Sequence, residues 1–391
     1  MAEKQDPIRF GIMGCTEIAT TANCWTTLLD AVYMPLSTTL HLKWALMAAQ
    51  KGKHLLLEKP TALDVKVLDE MLESCGRNGL QFMDGSMWYH HLRTAKMKEL
   101  LSDSHVFGQL DALGALSDAG WYCIGAILWS MNQKLPTTVT ALPNTVKNSA
   151  GVILTCSASM LWDEEETVAT FFCSFLAHET MCLAVSASNG TLNVDDFIIP
   201  YEETAAGFSY TLGAKFANLH IGWNMKPQHV RLETKLPQEA LMIQEFSGLV
   251  KGVKYLGARP DTRWAETSRC TQLVMDAVKN SIDYGYKAIK MHLNGDPCRG
   301  RGARAAYLSE KTPILTARFA SKLHGNALGE GAVVRIGGSF VLPLVLDEEN
   351  PTESAPASWL DLKVSDRSRE IEPELGSIRL LLSSIDMLIA S

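Results

Sequence analysis

The sequence predicts an α/β protein in which a Rossmann-like parallel-sheet domain precedes an α+β domain with a mostly antiparallel open sheet. Three observations predict this fold. The apolar run HLLL at His54–Leu57 is typical of a strand buried on both faces of a parallel sheet. Strand patterns alternate with helical patterns as far as about residue 110. From about Thr137, strand-like runs are joined by short turns, which indicates antiparallel pairing.

The bulk composition excludes several classes of protein. A chain of 391 residues with 47% apolar content can bury two cores. The net charge of −7 and the lack of a basic stripe argue against nucleic-acid and membrane partners. No apolar run is long enough to span a bilayer, and MAEKQDPIRF has no signal-peptide core. Nine scattered cysteines, none in a C-x-x-C pair, predict reduced thiols in a cytoplasmic protein.

The first strand leads into a glycine turn. Ile8–Met13 is rich in β-forming residues, contains Gly11 and runs into Gly14–Ala19. A strand, a glycine turn and a helix begin a dinucleotide fold, because the turn and the helix N-terminus offer N–H groups to a pyrophosphate. Thr16 replaces the second glycine of the G-x-G-x-x-A motif, so an ordinary strand–turn–helix unit is an equally good interpretation.

The following elements continue the parallel sheet. Three further strands are predicted, at Ala31–Met34, His54–Leu57 and Leu80–Met83. Apolar stripes at helical spacing fill the two gaps, and these helices end at Gly52 and near Gly79. Another helix begins around Thr94. Strands that alternate with helices of this length form βαβ units.

The second half is predicted to be α+β. The predicted strands are Val139–Val146, Val152–Trp162, Thr167–Leu176, Met181–Ala187 and Thr191–Pro200. Two amphipathic helices follow, at Gln238–Lys254 and Trp264–Asp283. We therefore expect a Rossmann-like domain over residues 1–110, a substrate and dimerisation domain over 111–290, and an unassigned, solvated tail over 291–391.

Two charged residues end the most apolar strand. Glu58 and Lys59 follow His54–Leu57 directly, and Pro60 forces the chain to turn. Open parallel sheets bind ligands beyond the carboxyl ends of their strands, so these residues are candidate site residues. A surface ion pair that ends a strand is the alternative.

These stretches resemble the Gfo/Idh/MocA oxidoreductase family, in the plant-type branch related to dimeric dihydrodiol dehydrogenase and NADP-dependent D-xylose dehydrogenase. The resemblance is carried by Ile8–Ala19, Val32–Pro60, Phe82–His91, Phe107–Leu110, Asp118–Ile124 and Leu135–Lys287. It implies hydride transfer between NADP or NAD and a sugar hemiacetal or dihydrodiol. It also implies a homodimer formed through the C-terminal sheet.

The resemblance also implies the roles of single residues. The cofactor-binding residues would be Gly11, Gly14, Cys15, Thr16, Glu17, Ile18, Pro35, Thr38, His41, Glu58 and Lys59. The catalytic residues would be Lys59, Tyr122 and Asp118, and the substrate pocket would include Trp88 and Arg93. A tyrosine with a reference pKa of about 10 needs a nearby ammonium to act as a base near neutral pH.

Each of these residues has a plainer interpretation. Tyr122 could pack its ring against a neighbouring tryptophan, and Asp118 could only cap a helix. His41 could be a buried histidine whose hydrogen bonds are all made within the core. His90 and His91 are adjacent and are not expected to share a metal, so no metal site is predicted.

Two departures from the family pattern stand out. Only about a dozen residues, Thr20–Ala31, separate the glycine turn from the next strand, whereas a complete βαβ unit takes about 30 residues or more. The strand that would contact the adenosine ribose is therefore expected to be missing. Leu110 likewise runs directly into the second domain. The chain could thus be an inactive splice or gene-model variant of the enzyme, and a non-catalytic dinucleotide-binding regulator is another alternative.

Overall fold

A computed structural model of the chain describes residues 6–13, 29–102, 119–149, 151–218, 222–291 and 314–322. Its first sheet contains four parallel strands, in the order β1-β2-β3-β4. These are β1 (Phe10–Ile12), β2 (Ala31–Met34), β3 (His54–Leu57) and β4 (Phe82–Asp84). The predicted parallel sheet is confirmed.

Two helices cover this sheet. They are α1 (Thr38–Gln50) and α2 (Val65–Arg77), and Asp64 caps α2 by accepting a hydrogen bond of 3.0 Å from the backbone N–H of Val67. All four residues of β3 are buried, as the continuous apolar run predicts. The core beside these helices includes Val32, Met34, Ala48, Leu55, Leu57, Leu68 and Met71.

The first strand lies at the edge of the described sheet. Among the residues that the structure describes, β1 pairs with β2 alone, with Phe10 opposite Ala31. Ile12 is 51% exposed. An edge strand presents unpaired backbone groups, so this is the place where an additional strand would have to join. Residues 14–28, where the family pattern expects that strand, lie outside the described part of the chain.

Three helices form the centre of the second part. They are α4 (Ala119–Ser130), α5 (Gln238–Leu256) and α6 (Arg263–Asp283). A 3₁₀ turn, Met87–His90, and α3 (Leu92–Ser102) connect β4 to this part. Every residue of α4 is buried. A helix that is apolar on all sides must lie inside the protein, and α4 packs against α6.

Within the described residues, the second sheet has ten strands and is mostly antiparallel, as expected. Its strands are β5 (Thr138–Ala141), β6 (Val146–Lys147), β7 (Ile153–Trp162), β8 (Thr167–Ser174), β9 (Leu176–Ser186), β10 (Gly190–Val194), β11 (Ala205–Leu212), β14 (Gln228–Glu233), β15 (Ile289–Lys290) and β16 (Ile314–Lys322). The order is β14-β11-β10-β9-β16-β8-β7-β5-β15, and β6 pairs with β7. A separate hairpin contains β12 (Phe216–Asn218) and β13 (Gly222–Trp223).

Two features of the second part differ from the expectations. Strand β16 lies in the stretch for which no element was predicted, yet it pairs with β8 in parallel and with β9 antiparallel. The sequence after residue 290 has no sustained periodicity, so it gave no signal for this strand. The expectation that all cysteines are reduced is also wrong, because Cys270 is disulfide-bonded. The described free thiols are those of Cys75, Cys123, Cys156, Cys173 and Cys182.

Candidate active site

The carboxyl ends of three parallel strands bring polar side chains together. Tyr33 is the penultimate residue of β2, Glu58 follows β3 and Asp84 ends β4. The hydroxyl of Tyr33 donates a hydrogen bond of 2.6 Å to Oε1 of Glu58. Strands of a parallel sheet run in one direction, so their final residues meet at the same edge, where such sheets bind ligands.

The structure brings Lys59 and Tyr122 together at this edge. Nζ of Lys59 lies over the Tyr122 ring, 4.5 Å from its centroid. Lys59 is 8% exposed and Tyr122 is 3% exposed. The contact is therefore a desolvated cation–π interaction, which is worth roughly 2 kcal/mol. Tyr122 lies in the first turn of α4, so this helix and β3 together form the pair.

A hydrogen-bond chain fixes α4 against β4. Nε1 of Trp121, the neighbour of Tyr122, donates to Oγ of Ser86 at 2.9 Å. The backbone N–H of Ser86 donates to Oδ1 of Asp84 at 2.8 Å, and the hydroxyl of Ser268 on α6 donates to the other carboxylate oxygen of Asp84. All of these residues are buried. The chain thus holds α4, β4 and α6 in a fixed relation, with Tyr122 facing Lys59.

Both carboxylates at the edge have raised pKa values. Burial raises the pKa of Glu58, although the Tyr33 hydroxyl and the charge of Lys59 act in the opposite direction. Burial likewise raises the pKa of Asp84, against the hydrogen bonds from Ser268 and Ser86. The pKa of Tyr33 is also raised, first by burial and then by the charge of Glu58. Titratable groups with such shifts are common in functional sites.

His41 braces the two loops next to the site. Its Nδ1 lies 3.0 Å from the carbonyl oxygen of Thr61, and its Nε2 lies 2.8 Å from that of Leu36. The side chain is fully buried, and burial lowers its pKa, although the contacts with the Thr61 and Leu36 carbonyls act in the opposite direction. With both nitrogens directed at backbone carbonyls, His41 has a positioning role. A direct contact of His41 with a cofactor stays a prediction.

The loops after β2 and β3 are also joined by Thr38. Its hydroxyl donates to the carbonyl oxygen of Pro60 at 3.4 Å, and the Lys59–Pro60 peptide bond is cis. Pro35 follows β2 and is half-buried at the same edge. Gly11 lies in β1, where a Cβ atom would come within 2.7 Å of the Leu29 side chain. The structure therefore gives Gly11 a packing role and leaves any contact with a cofactor as a prediction.

Trp88 and Arg93 are both buried in the structure, and their place in a substrate pocket stays a prediction. Trp88 is fully buried, and its ring lies 5.6 Å from that of Trp129 and 5.8 Å from that of Phe197. Arg93 is also buried. It forms an ion pair with Asp196 and donates to the carbonyl oxygens of Asp196 and Phe197, at 2.9 and 3.3 Å. Both are core residues that join the 3₁₀ turn and α3 to the second sheet.

Several predicted residues lie outside the described part of the chain. They are Gly14, Cys15, Thr16, Glu17, Ile18 and Asp118. Their roles in binding pyrophosphate and in catalysis stay predictions. Among the described residues, no group of three or more His, Cys, Asp or Glu side chains could hold a metal ion. The described helices also include none that is long and apolar enough to cross a membrane.

The site contains residues that the sequence analysis did not select. They are Tyr33, Asp84, Ser86 and Ser268. Asp84 ends a buried strand before a glycine, and this pattern resembles the one that pointed to Glu58. Ser268 is 184 residues away from Asp84, and no local signal links the two.

The fold and the site define a class of protein. It is an α/β protein with an open parallel sheet and polar residues at the carboxyl edge, where such sheets bind ligands, joined to a mostly antiparallel second part. Residues 7–86 match the family described as oxidoreductase family, NAD-binding Rossmann fold, or GFO_IDH_MocA. Over these residues the chain is similar to the Rossmann part of that family, in agreement with the sequence resemblance.

Relatives with known names match the chain over stretches of similar length. A dTDP-3,4-didehydro-2,6-dideoxy-alpha-D-glucose 3-reductase of Actinomadura kijaniata is 33% identical over 87 residues, which are 22% of this chain and 26% of the relative. A D-xylose 1-dehydrogenase (NADP(+)) of Haloferax volcanii is 35% identical over 74 residues, or 19% of this chain and 23% of the relative. The matched segment thus spans about a quarter of each relative's length.

The similarity of the fold extends further along the chain. The crystal structure of a 3-ketoreductase from Actinomadura kijaniata, in complex with NADP and TDP-benzene, covers 70% of this chain and 98% of its own. The TM-score is 0.58 and the sequence identity is 20%. At this identity the comparison supports the fold alone.

Proposed function

We propose that the protein is an NAD(P)-dependent oxidoreductase that transfers a hydride between nicotinamide and a sugar hemiacetal or dihydrodiol, in the manner of D-xylose 1-dehydrogenase. The observation that supports this proposal most strongly is the contact between Lys59 and Tyr122 at the carboxyl edge of the parallel sheet, where Nζ of Lys59 lies 4.5 Å from the centre of the Tyr122 ring. The family match of residues 7–86 and the sugar-converting relatives support the proposal.

The residues at this edge fit a nicotinamide cofactor. Pro35 and Thr38 follow β2, Glu58 and Lys59 follow β3, and a dinucleotide in an open parallel sheet lies beyond these strand ends. The pyrophosphate would be held by the turn from Gly14, as the resemblance implies. When bound, NADP or NAD supplies the acceptor for the hydride, and the protein contributes placement and charge.

Tyr122 and Lys59 would handle the proton. Oxidation of a hydroxyl group releases a proton as the hydride leaves the same carbon, and the phenolate oxygen of Tyr122 would accept it. The ammonium of Lys59 stabilises the phenolate, and this effect is strong because both side chains are shielded from water. The network of Trp121, Ser86 and Asp84 keeps α4 in the required orientation. Asp118, just before this helix, is proposed to assist Tyr122.

A direct test combines cofactor binding with turnover. Titration by NADPH fluorescence should detect binding, and reduction of NADP in the presence of pentoses should detect the reaction. Tyr122→Phe should lower kcat by roughly 100-fold or more while cofactor binding persists. Tyr210→Phe is a matched control, since it removes a phenol hydroxyl in the second sheet, hydrogen-bonded at 2.6 Å to Gln228. Binding without turnover in the wild type would instead support a dinucleotide-binding regulator, and an unchanged kcat in Tyr122→Phe would contradict the assigned role.

A second candidate is a variant that has lost activity, and one observation favours it. Strand β1 is an edge strand among the described residues, and Ile12 is half exposed. An edge of this kind is prone to intermolecular pairing, and the ribose contact of a further strand would be lacking. Failure of the purified chain to bind NAD or NADP would favour this candidate.

We also propose a homodimer formed through the second sheet. Light scattering coupled to gel filtration should give twice the mass of the chain, 43.0 kDa. A monomeric mass at micromolar concentration would contradict this proposal.

A further inference from the structure

The carboxylate of Glu58 is held at a fixed position by two donors. The phenol of Tyr33 donates to Oε1 at 2.6 Å, and the backbone N–H of Lys59 donates to Oε2 at 3.2 Å. Each carboxylate oxygen therefore has its own donor, and the two donors come from neighbouring strand ends. A side chain bound in this way cannot rotate without breaking a hydrogen bond to a half-buried group.

Packing against the next strand holds the carboxylate from the other side. A Cβ atom at Gly85 would lie 2.8 Å from Oε1, 2.9 Å from Cδ and 3.0 Å from Oε2 of Glu58. The backbone just after β4 thus approaches the carboxylate so closely that a residue with a Cβ atom would not fit at position 85. Glu58 is enclosed between Tyr33 and Gly85, so its carboxylate is held at a fixed position relative to Lys59.

The charge on Glu58 depends on the groups around it. Tyr33 from β2, Lys59 at the end of β3 and Asp84 from β4 face it, and Glu239 of α5 acts on Tyr33 in turn. Burial and Asp84 raise the pKa of Glu58, while the hydrogen bond from Tyr33 and the charge of Lys59 lower it. The Tyr33 hydroxyl therefore helps to keep the carboxylate ionised.

We propose that Tyr33 is a positioning residue that holds Glu58 as a fixed anion, and that this anion makes the site prefer the oxidised cofactor. The inference rests on the proposed function, in which the nicotinamide lies beside Glu58 and Lys59. The oxidised ring carries a positive charge that the reduced ring lacks, and the remaining parts of the two cofactor forms are the same. A nearby carboxylate thus stabilises the oxidised form selectively.

The test measures dissociation constants for NADP⁺ and NADPH separately, by calorimetry and by NADPH fluorescence. Glu58→Gln should lower the preference for NADP⁺ over NADPH by about tenfold, because the anion is lost and the side-chain shape is kept. At alkaline pH, Tyr33→Phe should show the same preference for NADP⁺ as the wild type. As the pH falls, the variant should lose this preference at a higher pH than the wild type, because Glu58 takes up a proton more readily without the Tyr33 hydrogen bond. Tyr210→Phe is the matched control and should leave both constants unchanged.

The pH series should run from about pH 5 to about pH 9, which brackets a carboxyl group of raised pKa. Equal losses of affinity for both cofactor forms in Glu58→Gln would overturn the inference, because the carboxylate would then act by shape alone. An unchanged pH dependence in Tyr33→Phe would overturn the role of Tyr33. If the wild-type protein binds neither form, the proposed function itself fails, and this result differs from binding without preference.

Discussion

The replacement of Lys59 by methionine tests the chemistry of the site most simply. Methionine has a similar length and no charge, so it fills the same buried space over the Tyr122 ring. With the ammonium about 4.5 Å from the ring centre and an effective dielectric constant near 20, its attraction for a phenolate is about 3.7 kcal/mol. This energy corresponds to roughly a 500-fold loss in kcat.

The pH dependence distinguishes an electrostatic role of Lys59 from a steric one. If the ammonium stabilises the phenolate of Tyr122, activity in Lys59→Met should appear only at a higher pH than in the wild type. The assay is the rate of NADP reduction with a pentose, measured across the pH range. Refutation would come from a variant whose kcat and pH profile match those of the wild type.

Three further predictions concern the framework of the site. Arg93→Met should lower the free energy of unfolding by about 3–5 kcal/mol in urea, because it leaves a buried carboxylate unpaired, whereas Arg231→Met, at an exposed ion pair, should change it far less; equal losses would contradict a structural role for Arg93. Trp121→Phe removes the N–H donor to Ser86 and should reduce kcat. The control Trp162→Phe removes a hydrogen bond of 3.1 Å to the Lys134 carbonyl oxygen and should reduce kcat less. Similar rates in the two variants would argue against positioning by Trp121. Burial lowers the pKa of His54 to about 4, so the stability that its neutral form contributes should be present above about pH 6.5 and be lost as the pH falls towards 4. In chemical denaturation, His54→Gln should reduce this dependence of the free energy of unfolding on pH. An unaltered dependence would exclude His54 as its source.

Much of the fold could be predicted from local sequence patterns. The strand His54–Leu57 was predictable because parallel strands buried on both faces must be apolar throughout. The helix that begins at Arg263 was predictable from its apolar stripe. Strand β16 was not, because its position depends on pairing with β8 and β9, strands that are far away in the sequence. Local patterns carry no information about such pairing.

The site was predictable in part. The contact between Lys59 and Tyr122 agrees with the pair that the family resemblance implied, although their catalytic roles are still proposals. The burial of Trp88 and Arg93 could not be predicted, because a buried aromatic ring and a buried arginine look the same in sequence as exposed ones. Tyr33 was missed because its role depends on a hydrogen bond across two strands.

A double-mutant cycle with Lys59→Met and Tyr122→Phe tests the central claim most directly. The claim is that an ammonium and a phenol act as one unit in moving the proton. The account predicts that the double variant reduces NADP with a pentose no more slowly than the slower of the two single variants. Losses in kcat/KM that multiply in the double variant would contradict it, since the two side chains would then act independently.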